Sequence, residues 1–106
     1  MEKRGYLVVR ARTVPALWNR FNEWYSREHL PLVAKCLGAK EAFRLHSRDE
    51  PNTHIAVYCF DDVDIIETPA FQYSLKSLVS EFNKEWPTGV ERTRMFFNLR
   101  DVVSLE

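Results

Sequence analysis

The chain has 106 residues, enough for one domain with its own core, and its 45% hydrophobic and 28% charged residues are a globular balance rather than a disordered one. Fifteen basic and fifteen acidic residues cancel, so no basic field is available to hold nucleic acid or an anionic membrane. Two cysteines, Cys36 and Cys59, do not make a disulfide framework in a domain of this size. Their apolar surroundings predict reduced, buried thiols and make the cytoplasm the expected compartment. The run Tyr6–Val9 is too short for a signal peptide, and no stretch approaches the roughly 20 apolar residues of a membrane span.

In chain order, Gly5–Arg12 alternates as a strand, with Leu7, Val9 and Ala11 on one face and Tyr6, Val8, Arg10 and Arg12 on the other. Thr13 is a candidate N-cap, and Pro15 suits a first helical turn. The helix that follows runs to about Glu28. At about 100° per residue its buried arc centres on Phe21 and Tyr25, with Trp18, Asn22 and His29 on a polar flank. Pro31 is expected to end this helix, bend the chain and start a second one over Leu30–Leu37, which Gly38 closes.

Lys40–Ser47 and Thr53–Phe60 are predicted strands joined in a hairpin by the turn cluster Arg48–Asn52. Asp61 or Asp62 can cap a short helical turn through Ile66. Thr68 then caps a long helix to about Glu85, with an apolar face of Phe71, Leu75, Leu78, Val79 and Phe82. A final strand is expected over Val90–Val103, with a bulge or break near Asn98–Asp101. The order β-α-β-β-α-β predicts one α+β domain spanning residues 1–106. It has a ferredoxin-like topology, with helices covering one face of a four-stranded antiparallel sheet in spatial order 4-1-3-2.

The strands carry two phases. Leu7, Val9, Ala11, Phe43, Leu45, Ile55, Val57, Cys59, Met95, Phe97 and Leu99 make a plain apolar set. The other phase mixes aromatics with charge, among them Tyr58, Phe60, Phe96, Arg44, Arg94, His46 and His54. Such a mixture suits a wetter buried surface, either a subunit interface or a ligand cavity. Which phase meets the helices is open at this level; the plain set is favoured for a dimer-buried or central core.

The run Phe21-Asn22-Glu23-Trp24-Tyr25-Ser26-Arg27-Glu28-His29-Leu30-Pro31, followed by Gly38 and a Phe43-Arg44 strand, resembles the dimeric α/β-barrel superfamily, and within it the EthD-like and related uncharacterised bacterial branches. The segment from Phe82 through Trp86 to Val90 is similar to the end of their second helix. The resemblance covers essentially the whole chain. It implies a homodimer whose two sheets face each other, with His29 at the family's histidine position and Tyr25 as its aromatic neighbour. Superfamily members include cofactor-free monooxygenases, haem-degrading oxygenases, isomerases and cyclases, so membership gives no single reaction. Asn22 and Trp24 lie on the wrong element for the haem-degrading set.

Tyr25 and His29 stand four residues apart on one helix face, where their side chains can meet. A histidine of ordinary pKa about 6.5 beside a phenol is a workable proton relay near neutral pH. The chemical expectation is therefore His29 as proton acceptor and Tyr25 as its partner, with Trp18, Asn22, Arg44 and Tyr58 lining a site for a small aromatic or polyketide-like compound. Oxygenase, isomerase or cyclase chemistry would need no cofactor, and no nucleic acid or membrane partner is expected. The competing expectation is a non-catalytic ligand-binding or accessory protein, or a plain aromatic core in which His29 only caps the helix. Arg44 and Arg94 need a partner if buried, either a carboxylate across the dimer or an anionic ligand. His46 and His54 face one another across the predicted hairpin, but no third metal ligand is evident and no metal site is expected. With three glycines in the chain there is no phosphate-cradling loop.

Overall fold

The computed structural model describes residues 2–105. Four strands, β1 (Gly5–Thr13), β2 (Glu41–His46), β3 (Thr53–Phe60) and β4 (Val90–Asn98), form one antiparallel sheet in the order β2-β3-β1-β4. The expected ferredoxin-like α+β architecture and the spatial order 4-1-3-2 are present. Helices α1 (Trp18–Trp24), α2 (Leu30–Leu37) and α3 (Pro69–Glu85) lie on one face. Thr68 caps α3 as expected, its Oγ1 accepting from the Phe71 N–H, and the Asp62 carboxylate caps the preceding short turn by accepting from Asp64 N–H. Gly38 closes α2 in the left-handed conformation, φ 75°. No helix is long and apolar enough to cross a membrane.

Several expectations need correction. Thr13 is the last residue of β1 and caps nothing; its hydroxyl donates to Val14 O, and Val14 precedes the first helical turn. The final strand stops at Asn98 rather than Val103: β1, its neighbour, begins at Gly5 opposite Asn98, and one more backbone bond, Leu99 N–H to Arg4 O at 2.8 Å, ends the pairing. Cys36 is exposed on the outer side of α2, while Cys59 is buried as expected; both are free thiols.

Pro31 does not bend the chain. The helix continues through it because the turn Tyr25–His29 is π-helical, and the backbone stays right-handed helical at Trp24, Tyr25, His29 and Leu30. The Leu30 N–H reaches back five residues to Tyr25 O. A proline ring collides with the carbonyl four residues before it in a regular α-helix. The wider turn takes up that collision, so Pro31 sits in the first turn of α2 with no helix break.

The strand register sorts side chains into rows. Toward the helices run Ala42–Tyr58–Leu7–Phe96, Arg44–Ala56–Val9–Arg94 and His46–His54–Ala11–Arg92. Toward the open side run Phe43–Val57–Val8–Met95 and the neighbours Leu45, Ile55 and Phe97. The two phases read from the sequence are therefore crossed at β1. Leu7, Val9 and Ala11 belong with the mixed set of the other strands, under the helices. The physical reason is that β2 and β4 carry arginine and histidine under the helices and large apolar residues on the open side, so apolarity alone does not match the faces of different strands. The core beneath the helices is built from Leu7, Ala11, Phe21, Tyr25, Leu37, Ala56 and Tyr58, all almost fully buried. The open face is apolar yet exposed: Phe43, Leu45, Met95 and Phe97 are 39–60% accessible.

Candidate functional site

The π turn carries both Tyr25 and His29. In a π-helical turn of about 4.4 residues, residues four apart lie roughly 30° short of one line, where an α-helix carries them about 40° past it, so in either case they share a face. Tyr25 and His29 meet on that face, their ring centres 4.9 Å apart and nearly perpendicular. His29 also lies parallel to Trp24 at 4.6 Å and near Phe82 at 5.4 Å. It is 7% exposed. Burial first, and the positive charge of Arg92 second, push its pKa down to about 4, so it is neutral at pH 7.

Tyr25 and His29 form one wall of a cleft between the helices and the sheet. The other walls are Leu7 and Val9 of β1, Tyr58 of β3, Arg92 and Arg94 of β4, Val33 of α2, and Leu75, Leu78 and Val79 of α3. About 390 Å³ between these walls is free of atoms, part of it open to solvent. At the cleft floor the hydroxyls of Tyr25 and Tyr58 are hydrogen-bonded to each other at 3.0 Å. Burial is the first cause raising both phenol pKa values, so both stay protonated.

Of the residues expected from sequence, Tyr25, His29 and Tyr58 come together in this cleft. Trp18, Asn22 and Arg44 gather on the far side of Tyr25. Arg44 donates Nε–H to His54 Nδ1 at 2.9 Å, one terminal nitrogen to Asn22 O at 3.0 Å and to Ser26 Oγ, and the other to Asn22 Oδ1 at 2.8 Å. Its guanidinium ties α1 to β2 and β3, with no carboxylate partner among the described residues, and it does not line the cleft. The bond to Nδ1 requires a neutral His54 carrying its proton on Nε2, which is buried with no hydrogen-bond partner. That ring stands edge-on to Tyr25 at 4.5 Å and to Phe21 at 5.4 Å. Burial, then the Arg44 charge, depress its pKa to about 3. Trp18 stacks on His46 at 5.0 Å. His46 and His54 do oppose each other across the hairpin, and no group of three metal-ligating side chains occurs among the described residues.

Sequence reasoning passed over Arg92. It shares the alternation of Arg94 and sits opposite Ala11, a signal that a consistent count along β4 exposes. Its guanidinium carbon is 3.8 Å above the Phe82 ring.

Comparison with known proteins places this geometry among solved structures. No protein-family profile matches the chain, and no curated protein matches it in sequence. A variant of SnoaB, a cofactor-independent oxygenase from Streptomyces nogalater, superposes with TM-score 0.62 at 18% identity over 95% of this chain and 97% of that one. The ActVA-Orf6 monooxygenase of Streptomyces coelicolor, solved with nanaomycin D, gives 0.63 at 12% identity over 96% and 93%. A Bordetella bronchiseptica protein provisionally assigned as an antibiotic biosynthesis monooxygenase gives 0.63 at 12% over 95% and 99%. Likeness at these identities is a likeness of fold alone. The chain shares the ferredoxin-like α+β fold of these solved structures.

Proposed function

We propose that this protein is a homodimeric, small-molecule-binding oxygenase that lets an electron-rich aromatic or polyketide-like compound react with dioxygen without a cofactor. The observation that carries it is the placing of a neutral histidine and a phenol pair in one apolar cleft. His29 is the proton acceptor. Tyr25 partners it through ring contact and, through its hydrogen bond to Tyr58, helps set the polar floor. Trp18, Asn22 and Arg44 support this wall from behind by fixing Tyr25 and His54. Removal of a ring-methylene or hydroxyl proton leaves an electron-rich anion that gives electrons to dioxygen. The resulting hydroperoxide loses water to leave a carbonyl, so that a CH2 group and dioxygen become C=O and water. The fold shared with SnoaB and the ActVA-Orf6 monooxygenase supports this reading.

A second copy of the chain is the proposed cover for the open sheet face. Four large apolar side chains stand on it more than a third exposed, in line with Val8, Ile55 and Val57. Contiguous apolar surface of this kind is a mark of an interface.

Dioxygen uptake with anthrone and with 1,4-naphthalenediol, no cofactor added, tests the activity. The protein is expected to accelerate uptake, and His29→Ala is expected to lower the rate by about 100-fold or more. Equal rates for the two proteins remove His29 from the chemistry. A ligand retained unchanged with no uptake favours a binding protein instead.

A further inference from the structure

Every hydrogen-bonding side chain lining the cleft is a donor or can act as one, and no aspartate or glutamate lines it. Arg92 and Arg94 project from alternate positions on the same face of β4, opposite Ala11 and Val9. Most arginines of this protein that form ion pairs do so on the exterior, such as Arg10 with Glu50 and Arg27 with Glu23. Arg92 and Arg94 have no carboxylate within ion-pair distance among the described residues. Glu81 and Glu85 of α3, with Glu28, line an outer groove that shares His29 and Leu78 with the cleft but not Arg92 or Arg94, and Glu81 is paired there with Lys84.

Arg92 is partly buried, and one face of its guanidinium is covered by Phe82. That leaves the in-plane N–H edge, the edge that grips a carboxylate with two parallel hydrogen bonds. Two like charges side by side, one of them partly desolvated, lack a counter-charge. The phenols of Tyr25 and Tyr58 stay protonated, and their mutual bond uses only one of their two protons. The rest of the lining is aliphatic.

We infer that the ligand of this cleft is an organic anion: a flat apolar body bearing a carboxylate or enolate-type oxygen at the β4 end, where Arg92 and Arg94 hold it. This rests on the cleft being the ligand site proposed above. It also links binding to chemistry. Arg92 is the charge that opposes protonation of His29. An anion that neutralises Arg92 makes His29 a stronger base when the substrate is present and a weak one when it is not.

The test compares 1-naphthoate with 1-naphthamide, its neutral near-isostere, by calorimetric titration of the intact protein at low ionic strength. Naphthoate is expected to bind about tenfold tighter or more, as for a hydrogen bond to a charged group. Arg92→Gln and, separately, the more exposed Arg94→Gln are expected to reduce that preference, with unchanged thermal unfolding as the check on folding. Saturation with naphthoate is expected to raise the His29 titration midpoint seen by NMR, leaving that of His54 in place. Equal affinity for acid and amide overturns the anion inference while leaving the cleft as the site. So does a preference for naphthoate that survives both arginine variants. No binding of either compound by a protein that does accelerate dioxygen uptake overturns the anion inference alone; no binding and no acceleration overturn both.

Discussion

Acid should loosen this fold through two buried histidines. His54 and His29 are neutral in the folded protein, with pKa values pushed down to about 3 and about 4 by burial and by neighbouring arginines. Unfolded, each returns to about 6.5. A depressed histidine pKa means that the unfolded chain takes up protons first. The stability is present above pH 6.5 and is lost as pH falls from there toward 4 for His29 and 3 for His54. At pH 5 each histidine should already have cost about 2 kcal/mol relative to pH 8, about 4 kcal/mol together. That is a large share of the 5–15 kcal/mol or so typical of a domain. Urea unfolding at pH 8 and pH 5, followed by tryptophan fluorescence, measures it. His54→Asn keeps an oxygen to accept the Arg44 Nε–H but cannot titrate. Its pH 8 to pH 5 difference should be smaller than that of the wild type by about 2 kcal/mol. Comparing each protein with itself across pH cancels the carboxylates common to both. An undiminished difference in His54→Asn, or a folded-state His54 midpoint near 6.5 by NMR, would refute the reasoning.

Other consequences are equally direct. Tyr25→Phe and Tyr58→Phe should each cost about 1–3 kcal/mol by leaving the other hydroxyl buried and unpaired, and the double variant should cost clearly less than the sum; additive urea-unfolding energies would mean that the 3.0 Å contact contributes nothing. Gly5→Ala should lower the melting temperature, because a Cβ there would stand 2.5 Å from Val63 Cγ2 and 2.6 Å from the Phe97 carbonyl oxygen, which is fixed in the sheet; an unchanged melting curve would contradict this crowding. Leu45→Asp should leave helix content intact but convert a species of twice 12.6 kDa into one of 12.6 kDa in light scattering; a wild type that is itself monomeric at micromolar concentration would end the dimer proposal. Pro31→Ala should keep the π turn, because the extra residue remains, and leave the His29 NMR midpoint at about 4; a midpoint risen toward 6.5 would show that the proline holds the turn open.

The fold was readable in the sequence wherever a local signal had one meaning. Thr68-Pro69 could only start a helix, Gly38 could only end one, and the turn cluster between His46 and Thr53 could only be a hairpin. What escaped was information held between elements. The apolar face of β1 lies beside arginines and histidines of its neighbours, so which faces belong together is fixed only by the register that β3 and β4 impose. Pro31 looked like a breaker because the rule assumes α-helical spacing, and the turn before it is not α-helical. At the site, the helix wheel correctly put Tyr25 and His29 on one strip. It could not show that Arg44 would be consumed by Asn22, Ser26 and His54, since those bonds join residues up to 22 positions apart.

The π turn also makes chain length a determinant of the site. Between Tyr25 and Pro31 the helix carries one residue more than α-helical spacing needs to keep its two ends in phase. Removing one of the three residues between Tyr25 and His29 would let the turn close as α-helix with both ends still in phase, so the rest of the fold would hold. Tyr25 and His29 would then stand three apart instead of four, and their ring contact would change. A search for proteins with this site should therefore weigh one-residue gaps in this segment more heavily than exchanges among its apolar neighbours.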